Sequence, residues 1–355
     1  MQDSIWLYRI YEVAKEFDLG LVQALFMKEK PTSRMRLSRV RPKSIIIENP
    51  PVSMELGTWE IPIEGRLYKG QVVARVYDLG VVSLILQIIL PEDLTYEQLL
   101  DLSVALYNLD DLEALFHQWR DSVTSTLAGA MEPLHEGKVE EDFTLFFFRR
   151  WRENWDPVPV LLAERETVSA QMRQETMKNS FAYGRKDHAI LTWDSALVYD
   201  AEGSTDIPDL IEFALTQLVE LRYYDELLSG EMNQMYDDID RADRDNWYSR
   251  LRQYRKIMKS YMELVIDINE VTEKIQNAIK VTEDIFYARV YAAATGILRT
   301  SVWMDSIKHK LSVIANNYSL LNDEVVNHRS MLLELAIIGL IVFEVLMSLS
   351  EKIFK

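Results

Sequence analysis

The sequence predicts an α+β fold: an N-terminal mixed αβ domain, then long antiparallel or coiled-coil helices ending in a single C-terminal transmembrane helix. Three observations predict it. Alternating apolar runs separated by turn residues fill positions 1–200. Two heptad runs dominate positions 206–330. Met331–Leu349 reads MLLELAIIGLIVFEVLMSL, the stretch most suited to crossing a bilayer, with SEKIFK after it. At about 1.5 Å per residue such a helix spans roughly 28 Å, close to the thickness of a hydrocarbon core.

The first domain begins with IWLYRIYEV, whose alternation predicts a strand, followed by AKEFDLGLVQALF at helical spacing. SIIIE reads as a short buried strand. QVVARVY and VVSLILQIIL flank Asp78-Leu79-Gly80 and predict a hairpin, with Gly80 supplying the positive φ of a tight turn. Pro91 ends the second strand, and Thr95 is placed to cap a helix over YEQLLDLSVALYN. Residues 109–131 continue as helix, and GKVEEDFTLFFF returns to strand. Residues 158–178 read as one helix and 188–199 as one strand.

The loop DAEGSTD, Asp200 to Asp206, is the expected boundary, with Asp206 as N-cap and Pro208 in the first turn. Residues 208–236 are apolar over a wide face, so this helix is expected to be buried on more than one side. YDDIDRADRDN at 236–246 is a polar break. It lacks the sixth-position glycine and final glutamate of an EF-hand, so its acids read as caps and solvated surface.

Ile257, Tyr261, Leu264, Ile268, Val271, Ile275 and Ala278 form one heptad seam. Met304, Ile307, Leu311, Ile314, Tyr318, Leu321, Val325, His328, Leu332 and Leu335 form another. The runs either fold back on each other as an antiparallel hairpin or pair between chains. Gly296 is a candidate bend between them. The second run meets no proline before Met331, so a continuous stalk and anchor (331–349) is expected.

Glu334 and Glu344 interrupt the anchor. Ten residues at about 100° each leave them roughly 80° apart, on one broad side of the helix. A carboxylate in lipid is costly and calls for a partner. The expected arrangement is an oligomeric anchor with Glu344 facing inward, satisfied by a neighbour's Ser348 or by protonation.

The 355 residues suffice for a full core, and the absence of cysteine excludes disulfides and thiolate chemistry. The N-terminus, MQDSIWLYRIYEVAKEF, shows no basic-plus-apolar leader. The expectation is a membrane protein with one C-terminal anchor and a cytoplasmic body, in a bacterial inner membrane or, in a eukaryote, the mitochondrial inner membrane. A net charge of −17 argues against a general nucleic-acid coat, and no DNA partner is expected.

Against that acidity, Lys28 to Lys43 holds seven basic residues and one acid. Arg34, Arg36, Arg39 and Arg41 alternate with Met35, Leu37 and Val40, which predicts a strand showing arginines on one face. Arginine forks suit phosphates and carboxylates. The strip is the candidate docking surface for RNA, lipid headgroups or an acidic protein partner. A charged edge strand that resists aggregation is the alternative. Arg149-Arg150-Trp151-Arg152 is a second cluster, read either as a base-stacking patch or as a strand end at the surface.

The ending NHRSMLLELAIIGLIVFEVLMSLSEKIF resembles the end of the "required for meiotic nuclear division 1" family, through Arg329, Leu333-Glu334, Ile337 to Val342 and Glu344-Val345. DIPDLIEFALTQLVELRYYDELL and VYDLGVVSLILQI are looser matches, in the family's order. The chain departs from the family before the coiled coil, where it has only Asp245-Asn246-Trp247-Tyr248. The resemblance implies a membrane-anchored, oligomeric protein with no established catalytic activity, whose eukaryotic relatives hold ribosomes near the mitochondrial inner membrane.

No enzyme signature stands out. His117, His135, His188, His309 and His328 form neither H-x-x-x-H nor H-E-x-x-H, and no phosphate-cradling glycine motif or nucleophile elbow is present. No catalytic residue, cofactor or metal ligand is assigned. The expected function is a tail-anchored, homo-oligomeric scaffold or tether, docking a ribosome, RNA or a protein partner. The alternative is an oligomeric channel like the CorA magnesium channels, with Glu344 facing the pore. Those channels need two spans and a Gly-Met-Asn loop, and this chain has one span and no such loop.

Overall fold

A computed structural model describes residues 2–29, 32–34, 45–47, 49–107, 111–134, 139–244, 247–277, 279–281 and 285–353. In chain order the elements begin with β1 (Ser4–Glu12), β2 (Glu16–Phe17), α1 (Leu19–Glu29), β3 (Thr32–Arg34), β4 (Ile45–Ile47), β5 (Val52–Ile63), β6 (Arg66–Val76) and β7 (Val81–Ile89). There follow α2 (Tyr96–Tyr107), α3 (Asp111–Leu127), β8 (Met131–Glu132), β9 (Glu140–Phe148), α4 (Pro157–Leu161), α5 (Ala170–Thr176), β10 (Ser180–Phe181), β11 (Asp187–Leu191) and β12 (Ser195–Asp200). The remainder is α6 (Asp206–Asp243), α7 (Trp247–Asn277), β13 (Ile279–Val281), α8 (Ile285–Ile297) and α9 (Thr300–Ile353). This is the expected α+β body followed by long helices.

The chain divides into two compact units. One comprises residues 1–226 and 272–304, the other residues 227–271 and 305–355.

In the first unit, alternation along the strands builds a sheet with two apolar faces. Its order is β10-β11-β12-β9-β1-β7-β6-β5-β3, antiparallel except where β12 runs parallel to β9. The predicted hairpin is β6 and β7, closed at Gly80 with φ 98°. A Cβ there would lie 1.9 Å from the Ala14 carbonyl oxygen, so only glycine fits. One face carries Ile5 and Leu7 of β1 with Leu84 and Leu86 of β7. It packs under Phe26 of α1, Leu99 and Leu102 of α2, and Phe116 and Val123 of α3. Each such side chain contributes about 1.5–3 kcal/mol by leaving water. Helix α2 starts in a capping box: Thr95 Oγ1 accepts from Gln98 N at 3.3 Å, and Gln98 Oε1 accepts from Thr95 N at 3.2 Å.

The opposite face carries Trp6, Tyr8, Ile10 and Glu12 of β1, because a strand alternates. The first half of α6 packs against it, placing Phe213 on Tyr77 with ring centroids 5.8 Å apart. Every residue of α6 from Asp206 to Leu221 is buried, as the wide apolar face predicted. Its other side is met by Tyr291 of α8, whose hydroxyl donates to Gln217 at 2.5 Å.

Several local expectations change. The run Ala14–Phe26 is a two-residue strand and then a helix, because Asp18 Oδ1 accepts from Gly20 N and Leu21 N at 2.8 and 3.0 Å and caps α1. Residues 158–178 form two short helices: Ala163 takes φ 46°, which a right-handed helix cannot continue, and Ser169 caps α5. Residues 188–199 form two strands, turned where Ser195 N donates to Thr192 Oγ1 at 3.1 Å. The polar stretch from residue 236 stays helical to Asp243. Strand β4 finds its partner in β13, with Ile47 opposite Ile279.

In the second unit three helical segments pack together. Ser229 of α6 accepts from Lys310 Nζ of α9 at 2.7 Å, and Tyr254 of α7 bonds Asp243 of α6. Arg250 of α7 reaches Glu324 and His328 of α9 at 3.8 and 3.4 Å. These contacts make α7 antiparallel to both α6 and α9. The seam residues Ile257, Tyr261 and Ile268 are buried, as are Ile307, Leu311, Ile314, Leu321 and Val325. The heptads therefore meet within one chain as the antiparallel hairpin. Ala278 lies outside the described residues. The bend before α9 falls at Arg299, with φ 53°, and not at Gly296, which remains helical.

Candidate functional site

Helix α9 runs unbroken from Thr300 to Ile353, 54 residues or about 80 Å. It is long and apolar enough to cross a membrane, and only 6% of its most apolar 18-residue window is buried. Burial along the seam stops at Val325. From Arg329 to Glu344 every residue is exposed, although Leu332 and Leu335 continue the heptad. Leu340 is 69% exposed and Phe343 63%. Apolar side chains at this density have no reason to face water. Glu334 and Glu344 stand among them, also exposed. The side chain of Ser348, expected to meet a neighbour's Glu344, lies outside the described residues.

Of the arginine strip, Arg34 ends β3 and pairs in register with Val52 at the edge of the sheet. Arg36, Arg39 and Arg41 lie outside the described residues, as does the rest of the strand expected there.

Sequence reasoning missed a layer of buried charge between the sheet and α6. Arg75 of β6 bonds Asp209 at 2.7 Å and also Glu212, both on α6. Asp209 and Glu212 are 3% and 0% exposed. Burial pushes both carboxyls up, and Arg75 pulls them back toward the ionised form. Burial alone would lower Arg75, but the two carboxylates outweigh it and hold the guanidinium charged. Tyr77 and Ser83 lie beside Glu212 and favour its ionised form.

A second site in the same layer has no cation among the described residues. Glu12, at the end of β1, faces Glu220 of α6, and both are buried. Burial pushes Glu12 up to about 8, and burial together with the Glu12 charge drives Glu220 well above the carboxylate range. Two buried carboxyls in contact require that the pair hold at least one proton between them. Tyr224 lies close by, its hydroxyl raised by burial and by these acids.

One signal for this layer was available. Asp209, Glu212 and Glu220 recur at helical spacing on a helix that is apolar nearly all round, so some acid had to be buried. The chemistry of the layer is an ion-paired lock beside a protonated carboxyl pair. Among the described residues no group of three or more His, Asp or Glu side chains is placed to hold a metal ion.

The histidines are dispersed. His117 is 3.7 Å from Glu140, and His328 bonds Glu324 at 3.1 Å. His188 bonds Ser180 Oγ at 2.7 Å, and burial lowers its pKa. His135 lies outside the described residues.

Residues 2–205 match the model of the family described as uncharacterized protein MJ0711, N-terminal domain. The chain belongs to this family. The MJ0711 protein of Methanocaldococcus jannaschii, itself described as uncharacterized, is 25% identical over 254 residues, covering 68% of this chain and 76% of that protein. No solved structure matches the chain. The match to the family's N-terminal domain model ends at residue 205, immediately before α6, whereas the similarity to the MJ0711 protein itself covers more of the chain than that domain.

This membership overturns the resemblance to the meiotic nuclear division family, and the role in holding ribosomes falls with it. That resemblance rested on Arg329, Leu333-Glu334 and Glu344-Val345. The structure places these on a helix passing from a heptad seam into an apolar segment. Any such helix accumulates leucine, isoleucine and flanking charge, so the pattern reports helix physics and not ancestry.

Proposed function

We propose that this protein is a non-enzymatic membrane-anchored scaffold, held to the bilayer through α9 and self-associating there. One observation carries the reading. Exposed apolar residues from Met331 to Phe343 continue a helix whose preceding seam buries Ile307, Leu311, Ile314, Leu321 and Val325 within its own chain. Lipid, joined by a second copy of the same helix, is the environment that suits such a surface. Glu334 and Glu344, on one broad side, would face the second copy and not lipid.

Carbonate-resistant fractionation tests it, comparing the full chain with one truncated after Asn327. The full chain is expected in the membrane and the truncated one in the soluble fraction, with a smaller assembly size in neutral detergent. Identical behaviour of the two would defeat the proposal. The docking role of Arg34, Arg36, Arg39 and Arg41 is tested by reversing their charges. Loss of co-purifying acidic protein or RNA supports it, and an unchanged set of partners shows the strip to be solvated surface.

Exposed Glu344 within the apolar run also favours a second reading, an oligomeric pore. Ion flux in proteoliposomes that changes with Glu344→Gln, at equal membrane insertion, would select it over the scaffold.

A further inference from the structure

Where β1 begins and β9 ends, the fold holds a cavity of about 430 Å³ lined by Asp3, Glu92, Arg149, Arg150, Arg152 and Trp155 among others. We propose that it binds a small phosphate-bearing ligand. The volume falls in the range of small-molecule sites.

The arginines are held at the cavity by the fold around them. Arg149 N donates to Asp3 Oδ1 at 2.7 Å, which ties the end of β9 to the start of the chain and occupies one carboxylate oxygen. Arg149's side chain runs past Gly203, where a Cβ would come 3.2 Å from Nε, and Gly203 has φ 77°. The turn after β9 closes through Trp155 N donating to Arg152 O at 2.9 Å. Phe148, Trp151 and Trp155 pack edge to face at 5.1, 5.7 and 6.2 Å and make a rigid floor. Arg152 lies 4.8 Å over the Trp155 ring and gives one donor to Leu94 O at 3.3 Å. Its remaining guanidinium donors are left for a ligand.

Charge decides the ligand class. The chain carries 56 acids against 39 bases, yet among the described residues neither Arg150 nor Arg152 has a carboxylate within ion-pair distance. Arginine forks present paired N–H donors in the geometry of phosphate oxygens. Arg150 and Arg152 therefore bring charge and paired donors to the cavity with no carboxylate partner among the described residues. Base stacking is not its chemistry: Trp155 is 8% exposed, with Arg152 over its ring.

The test uses the full chain in neutral detergent at about 0.15 M salt, where diffuse attraction is screened. Pyrophosphate and a short-chain phosphatidate are titrated separately while tryptophan fluorescence is read, since Trp155 lines the cavity and Trp151 packs on it. Saturable change with pyrophosphate is expected if the source is a free phosphoryl compound, and with phosphatidate at lower concentration if it is a lipid headgroup. Either supports the site. Arg150→Ala and Arg152→Lys, checked for an unchanged melting curve, should each weaken binding by about tenfold or more. Arg152→Lys keeps the charge and loses the fork. No saturable change with either probe overturns the proposal, as do undiminished binding in both variants or equal binding of sulfate. Quenching by single-stranded RNA alone would likewise replace this site with a different one.

Discussion

Glu12 at the end of β1 and Glu220 in the middle of α6 meet as two buried carboxyls with no cation beside them among the described residues. They share a proton, so the stability of the fold is tied to pH. An unfolded glutamate titrates near about 4.3, and Glu12 in the fold near about 8. Between these values the folded chain holds protons that the unfolded chain releases. The stabilisation is therefore complete below the unfolded value and is lost as pH rises through the folded one. The melting temperature is expected to fall from about pH 6 to about pH 9. Glu12→Gln should flatten that slope, because it removes the group that titrates near about 8 and leaves an amide beside Glu220 that does not titrate. Melting curves over a pH series decide it, and equal slopes in both proteins would rule the shared proton out.

Arg75 neutralises two buried carboxylates at once. Arg75→Met strands both, and the expected loss is about 3–5 kcal/mol of unfolding free energy. Adding Asp209→Asn and Glu212→Gln removes the stranded charge, so the triple variant should recover much of that loss. Urea unfolding of the three proteins measures it. A triple variant no better than the single one would mean that the arginine acts by packing alone.

Gly80→Ala places a Cβ against the Ala14 carbonyl at a backbone conformation of φ 98°. The β6–β7 turn must move, and a loss well above about 1 kcal/mol is expected. The opposite sign is expected for Gly129→Ala, where an added Cβ meets nothing within 4 Å and φ is not in the left-handed region. Differential melting of the two variants checks both signs.

Ile314 and Ile338 lie on the same helix in different surroundings, at 1% and 57% exposure. Ile314→Ala should cost about 2–5 kcal/mol of stability through the cavity it leaves. Ile338→Lys should leave the soluble body's melting unchanged but disfavour membrane insertion by about 2.5–3.5 kcal/mol. Melting and carbonate extraction of both variants separate the two effects. An Ile338→Lys chain that melts early would assign residue 338 to a protein core.

Local chemistry made much of the fold legible. The β6–β7 hairpin follows from alternation around one glycine, α2 from a Thr-x-x-Gln box, and the helical bundle from a repeat that buries Ile257 against its own chain. The ionic layer was not legible, because its partners lie far apart in sequence: Arg75 and Asp209 are separated by 134 residues. An acid on a helix reads as solvated until the strand facing it is known. The cluster at Arg149 to Arg152 was legible in the sequence, but the cavity beside it was hidden for a similar reason. A cluster at a strand end looks like surface until Asp3 and Pro91 are seen to wall a cavity around it. The family resemblance failed because it weighed apolar helix residues, which many unrelated chains share.

Helix α6 begins at Asp206, one residue past the end of the family's N-terminal domain model, yet it supplies one wall of the sheet's core. A fragment cut at residue 205 would bare Trp6, Tyr8 and Ile85 together with the unpaired charges of Glu12 and Arg75. It would also leave β4 without β13, its partner more than two hundred residues downstream. The edge of the domain model is thus not the one at which the polypeptide can stand alone. During synthesis the half-built sheet must wait, one face open, until the helices made after it arrive.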